Sequence, residues 1–244
     1  MKHRFTPLLP RDPLQGTVLV LAAHPDDEVI GAGAMLAWHA RQGHEVTVVH
    51  VTDGAKGDPA AHENDICAVR RREGKEALRR LGIGEPRHWG LPDGELPEHA
   101  SALQDRLEAL FREVQPRTLY SFWFGEAHRD HLAVAQATAQ AASALPAACR
   151  CLLYGVNHAV TGGVLFDTTD AYPAKYHALK AYASQNVYID LPGMSEHRDR
   201  LATVNLDIEG VMYCEMFADL RPDQLPPAAQ LTDALQRLLL RDDA

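Results

Sequence analysis

"TVLVLAAHPDDEVIGAG" (17–33) decides how this chain is read. Residues 17–23 are a continuous β-branched and apolar run, the pattern of a strand buried on both faces. Residues 24–28, "HPDDE", then place one imidazole and three carboxylates at that strand's end. Adjacent carboxylates repel, and repulsion of that kind is costly near a core. From Val29 the pattern turns helical. Val29, Gly33, Leu36 and Ala40 share one face, and Gly43 suits a C-terminal stop.

The same alternation continues along the chain. Strands are expected at 45–52, 87–90, 117–123 and 151–156, and helices at 66–81, 99–114 and 131–145. The order β-α-β-α-β-α-β-α-β predicts an α/β fold: one domain with a mostly parallel sheet and helices on both faces. Helices near 174–183, 195–207 and 228–241 are expected in the less periodic last third. Residues 1–16, broken by prolines, read as an N-terminal extension to a domain over 17–244. In open sheets of this kind ligands bind beyond the carboxyl ends of the strands, which is where "HPDDE" falls.

Composition narrows the function. The 244 residues are 46% hydrophobic and 23% charged, ordinary for a soluble globular protein. Lys plus Arg is 24 against 33 Asp plus Glu, a formal net charge of -9, which argues against a nucleic-acid partner. Arg70, Arg71 and Arg72 form the only dense basic run. Cys67, Cys149, Cys151 and Cys214 make no paired C-x-x-C set, so no structural zinc site is expected. Few cysteines, no signal peptide and no long apolar window predict a cytoplasmic protein without an integral membrane segment.

A second polar cluster, "EAHRDH" (126–131), follows the strand at 117–123. Both clusters can therefore meet on one edge of the sheet. One His/Asp pair from the first and one histidine from the second make three N/O ligands, which leave a fourth position for water, as in catalytic zinc sites. A dication also offsets the like charges. Zinc suits imidazole and carboxylate best, with another divalent transition metal as the alternative. The bland alternative is that Asp26, Asp27 and Asp130 only cap the helices that follow them. The remaining histidines, His39 and His50 among them, are expected on surfaces or loops. On helix 66–81, Arg70 and Glu73 fall on the apolar face. Either they pair at the edge of the core, or Arg70 reaches the site and Glu73 orients it.

With these residues in view, the sequence resembles the PIG-L/LmbE-type zinc-dependent de-N-acetylases. The resemblance rests on "AAHPDDE" (22–28), on Arg70, Glu73, Ala77, Leu81 and Gly82, on "LPDG" (91–94) and on "HRDH" (128–131). Weaker matches are Lys175, Ala178, Ser184, Gln185, Glu215 and Phe217. The resemblance implies a Rossmann-like fold and removal of an N-acetyl group from an N-acetylglucosamine-type amino sugar or glycoconjugate. It implies His24, Asp27 and His131 as zinc ligands, Asp26 as general base, and His128 as a cationic stabiliser held by Asp130. Arg70 would contact substrate. Asp93 would shape the substrate pocket, though a turn role is the simpler account of Asp-Gly. Arg129 stands where proline is usual, and Glu126 near where some members carry an oxyanion tyrosine. Many relatives are symmetric homo-oligomers.

Two rival classes share some of these features. An NAD-dependent oxidoreductase would need G-x-G-x-x-G after the first strand, but Leu36 occupies the third glycine position after Gly31 and Gly33. A non-catalytic metal- or sugar-binding module would bind zinc without releasing amine.

Overall fold

The computed structural model describes residues 6–239. Its centre is β2 (Val18–Ala22), buried at every position. A strand with apolar side chains on both faces needs cover on both sides, and parallel neighbours joined through helices supply it. Four more parallel strands follow: β3 (Val46–Thr52), β4 (Arg87–Leu91), β5 (Thr118–Phe122) and β6 (Arg150–Tyr154). Between them run α1 (Asp27–Arg41), α2 (Ile66–Leu81), α3 (Ala100–Val114) and α4 (Arg129–Gln140). α2 starts at Asp65, whose side chain accepts from the Ala68 N–H, and stops at Gly82 in the left-handed conformation (φ 82°).

The last third adds α5 (Tyr172–Leu179), α6 (Ala183–Asn186), α7 (Leu191–Leu201) and α8 (Leu225–Leu239). It also adds strands that sequence periodicity did not show. β8 (Cys214–Leu220) runs antiparallel to β6 and β7 (Val164–Asp167), and β1 (Leu8–Leu9) pairs with β7. β8 reads as polar because it carries Glu215 and Asp219. Both are paired in the fold, Glu215 with Lys175 at 2.7 Å and Asp219 with Arg150 at 2.6 Å. β1 and the buried Leu14 also draw the expected N-terminal extension into the sheet and core, while its residues 1–5 and the end of the last expected helix lie outside the described residues.

The eight strands lie in the order β1-β7-β8-β6-β5-β2-β3-β4. Helices α1, α2, α5 and α7 pack together on one face, and α3, α4 and α8 on the other. From β2 the chain runs outward through β3 and β4, then returns to the far side of β2 for β5 and β6. The strand order thus reverses between β2 and β5, and their carboxyl ends frame a crevice. No helix among the described residues is long and apolar enough to cross a membrane.

Close packing, rather than a nucleotide loop, explains Gly31. A Cβ there would lie 2.1 Å from the Tyr154 ring, whose hydroxyl donates to the Leu21 carbonyl at 2.6 Å. Gly31→Ala is therefore expected to lower stability by about 1–3 kcal/mol in urea denaturation. Gly84→Ala, where the added carbon meets nothing within 4 Å, should be neutral or slightly stabilising. Equal stability of the two variants would contradict the packing account.

Candidate metal centre and active site

The crevice between β2 and β5 holds both polar clusters. His24 and Asp27 lie on the turn from β2 into α1, and His131 lies in the first turn of α4. Three donors converge there. His24 Nδ1 is 3.3 Å from Asp27 Oδ2, His131 Nε2 is 3.2 Å from Asp27 Oδ1, and the two ring nitrogens are 3.3 Å apart. Metal–ligand bonds of about 2.0–2.1 Å give a tetrahedral edge of about 3.3–3.4 Å. The nitrogen–nitrogen separation matches one such edge, and each nitrogen lies at a like distance from its own Asp27 oxygen, Oδ2 for His24 and Oδ1 for His131, so the two rings and the one carboxylate can face a common metal ion. His24, His128 and His131 also offer donors within 4.8 Å of one another, as do His24, Asp93 and Asp130.

The far nitrogen of each ring has its own carboxylate. His24 Nε2 is 3.0 Å from Asp93 Oδ1 and 3.3 Å from Asp130 Oδ2, and His131 Nδ1 is 2.8 Å from Glu126 Oε2. An imidazole N–H must donate to each carboxylate, which leaves His24 Nδ1 and His131 Nε2 to face the shared point. This is the outer support that orients metal-binding histidines.

The electrostatics call for positive charge. Burial opposes charge on His24, but hydrogen bonds to Asp130, Asp27 and Asp93 raise its pKa well above the usual imidazole value. Burial likewise opposes charge on His131, yet Asp27 and Glu126 raise it to about 9. Burial disfavours charge on Asp27 too, but His131 and His24 hold it well below the usual carboxylate range. The carboxylates thus hold protons on both rings, the condition a dication satisfies instead.

Asp26 stands beside this point without taking part in it. Its backbone has φ 138°, a conformation that L-residues rarely adopt and that costs about 1–3 kcal/mol. Strain of this size persists where surrounding contacts enforce it. Here the Asp26 carbonyl accepts from the Val29 and Ile30 N–H groups, and its carboxylate accepts from Arg70 Nη2 at 3.0 Å. Arg70 is buried on α2 and also donates to the carbonyls of Pro25 and Gly54. Burial pushes the Asp26 pKa up to about 7, with Arg70 pulling against that shift and Asp27 adding to it.

Several expectations need correction. Asp26 makes no side-chain cap on α1; the cap of α4 is His128, whose ring accepts from the Asp130 N–H. Asp130 does not hold His128 through its carboxylate, which instead meets His24 and the N–H groups of Gly94 and Leu96, because those unpaired loop donors face it. His128 Nδ1 accepts a backbone N–H at 3.2 Å and so carries no proton there. Burial and the charge on His24 and His131 lower its pKa, which works against a cationic ring, while Asp130 pulls the other way. Glu73 does not pair with Arg70; it accepts from the Ser184 N–H at 2.8 Å and hydroxyl at 2.6 Å. Asp93 faces the His24 ring and accepts from the Lys56 N–H at 2.8 Å, which makes it more than a turn residue. His39 and His50 are fully buried, bonded to Tyr120 and Glu28.

Glu126 is the residue that the sequence reading missed. It is 1% exposed and accepts from the N–H groups of Val156, Asn157 and His158 as well as from His131. Its position in "EAHRDH" was the available signal, but those N–H partners lie about thirty residues away on the loop after β6. The centre opens into a cleft of about 240 Å³, bordered by Asp26, Arg70, His128, Asn157, Tyr188 and Met194 among others.

Fold and site together define a doubly wound α/β protein with a His/Asp cluster able to bind a metal at the strand-order reversal. The model of the PIG-L family, GlcNAc-PI de-N-acetylase, matches residues 19–142, and the chain belongs to that deacetylase family. A probable N-acetyl-alpha-D-glucosaminyl L-malate deacetylase 2 of Bacillus cereus is 31% identical over 182 residues, covering 69% of this chain and 83% of the relative. N,N'-diacetylchitobiose deacetylase from Pyrococcus horikoshii shares the fold with a TM-score of 0.73 at 23% identity, covering 84% of each chain. GalB, the 4-carboxy-2-hydroxymuconate hydratase of Pseudomonas putida KT2440, does so with a TM-score of 0.65 at 21% identity, covering 84% of this chain and 96% of its own. The last two likenesses concern the fold alone.

Metal binding must displace the protons held on His24 and His131. Because both pKa values are raised, those protons are bound near neutrality and compete more strongly as pH falls. Affinity for zinc or cobalt should therefore weaken by about tenfold per pH unit for each proton displaced between roughly pH 8 and 6. Chelator competition across that range measures it, and a pH-independent affinity would contradict the protonation pattern.

Proposed function

We propose that this chain is a zinc-dependent hydrolase that removes the N-acetyl group from an N-acetylglucosamine-type amino sugar, releasing acetate and a free amine. The observation that carries the proposal is the convergence of His24 Nδ1 and His131 Nε2, 3.3 Å apart, on the two oxygens of one Asp27 carboxylate at 3.3 and 3.2 Å, with Asp26 on the wall of the same cleft. Family membership and the names of the relatives support the amino-sugar substrate. The four unpaired cysteines support work in a reducing, cytoplasmic compartment.

His24, Asp27 and His131 would hold the zinc, which when bound polarises the acetamide carbonyl and acidifies water. Asp26 takes the proton of the attacking water as general base. Its carboxylate is held by Arg70 rather than turned to the cluster, so its second oxygen is available to the cleft. Neutral His128, with Nδ1 already accepting a backbone N–H, has its proton on Nε2. It donates that N–H to the carbonyl oxygen as negative charge develops there. As the C–N bond breaks, Asp26 returns its proton to the leaving nitrogen, and the atoms of one amide and one water become acetate and amine. Asp93, Asp130 and Glu126 act through the two rings they orient. Arg70 lines the cleft wall, where it holds Asp26 in place beside the substrate.

Asp26→Asn should retain bound zinc and lose about 10²–10⁴-fold in kcat. Arg70→Met tests the same base by pH. The guanidinium lowers the Asp26 pKa, and the working form is the carboxylate, lost as pH falls through that pKa. Removing Arg70 should therefore move the acid limb of kcat/KM to higher pH. Near-full activity of Asp26→Asn on N-acetylglucosamine derivatives, or an acid limb that stays put in Arg70→Met, would remove Asp26 from the role.

A further inference from the structure

The centre described above makes no use of a second cavity that adjoins it. That cavity holds about 170 Å³, with walls that include Gly31, Ala159, Val160, Leu201, Ala202 and Met216. Two charged residues also border it, and both are turned to partners. Arg198 donates to the carbonyls of Gly155 and Ile30, and Asp199 accepts from Lys175 Nζ at 2.6 Å. Cys214 in the wall stays a neutral thiol, since burial pushes its pKa up to about 12. What remains for a ligand is apolar. An apolar protein cavity of about 150 Å³ stays dry and takes up benzene, so this one suits a group of about six carbons.

Its position links it to the catalytic cleft. On α1, Ile30 lines the cleft and Gly31 the second cavity; on the loop after β6, Val156 lines the first and Gly155 the second. On α7, Met194 borders the cleft and Leu201 the second cavity, with Arg198 between them. Residues spaced in this way share one helix face and span about 10 Å along it. Met194 and Leu201 are 38% and 70% exposed, and Arg198 between them is tied to the Gly155 and Ile30 carbonyls, so the two mouths open on the same helix face with one anchored guanidinium between them.

We propose that this cavity receives an apolar substituent of about six carbons, carried by the N-acylated amino sugar whose amide lies in the cleft. The proposal rests on the deacetylase function argued above. Two sources have this chemistry, an alkyl or aryl aglycone on the sugar and a longer acyl chain on its nitrogen. Among the described residues no free cation lines the cavity, so its wall offers an anionic substituent no partner.

The test compares kcat/KM for the methyl and n-hexyl β-glycosides of N-acetylglucosamine, and for methyl glucosaminides bearing N-acetyl and N-hexanoyl groups. Each is measured on the unaltered protein and on Ala202→Phe, which fills the cavity from its rim. Ala159→Trp, on an exposed loop, is the second filling variant should the first fold poorly. The expected result is a preference of at least tenfold for one hexyl-bearing substrate, abolished by filling, with the methyl N-acetyl substrate unchanged within about twofold. Preference for the hexyl glycoside assigns the aglycone, and preference for the N-hexanoyl compound assigns the acyl chain. No preference, or one that survives filling, overturns the proposal. If no amide is hydrolysed, the deacetylase function fails, and calorimetry with n-hexyl glucoside below its micellar concentration decides the cavity separately. Binding lost on filling keeps the cavity assignment, and binding absent or unaffected by filling ends it.

Discussion

Five buried carboxylates crowd about the centre of two imidazoles, and the rest of the structure depends on how that charge is balanced. Asp26, Asp27, Asp93, Glu126 and Asp130 are each at most 7% exposed, at the carboxyl ends of β2, β4 and β5. Buried like charges of this density persist only when paired, hydrogen-bonded or gathered about a cation. Backbone N–H groups of 94, 96 and 156–158 satisfy Asp130 and Glu126, and Arg70 answers Asp26. The facing donors of His24, Asp27 and His131 remain, and they form a His/Asp cluster able to bind a metal. The acidic turn that would be unfavourable in an isolated strand becomes a holder once β5 delivers the second cluster beside β2.

Holding that spacing requires α1 to stay fixed, because α1 begins at Asp27. The last third of the chain does this through an internal polar clamp. Glu215 on β8 accepts from the N–H groups of Ala34 and Met35, halfway along α1, at 2.9 and 2.8 Å. Lys175 on α5, fully buried, bridges Glu215 to Asp199 on α7. Arg198 on α7 reaches the Ile30 carbonyl from the same side. A buried charge network confers little net stability against an apolar alternative, but it fixes geometry, because each member has one arrangement that satisfies it. Sheet, clamp and centre are thus one mechanical unit, with α1 as the shared part.

The unevenness of what the sequence disclosed follows from what periodicity can carry. Helix 66–81 was legible to the residue because an Asp cap, a 3.6-residue pattern and a glycine stop all lie within one stretch. β7 and β8 were not, since one is a four-residue strand after two glycines and the other hides Glu215 in a contact with Lys175, far away in the chain. The two loops that build the site were visible from residue type and from their place after strands. The direction each side chain takes was not. Arg70 and Glu73 share a helix face yet serve different partners, Asp26 and Ser184. Asp130 lies two residues from His128 but turns its carboxylate to His24, from the other cluster. Such choices depend on which loops meet across the sheet, and spacing within one loop does not encode them.

Likeness to both a deacetylase and a hydratase underlines that this fold hosts more than one chemistry, so the reaction belongs to the centre and not to the sheet. The identity of the three ligands is therefore the central claim. Anomalous diffraction at the zinc edge from zinc-loaded crystals tests it most directly. The account predicts one ion bonded to His24 Nδ1, His131 Nε2 and an Asp27 oxygen at about 2.0–2.2 Å, with Asp26 outside the coordination sphere. An ion that takes His128 in place of Asp27, or that sits among His24, Asp93 and Asp130, would contradict it.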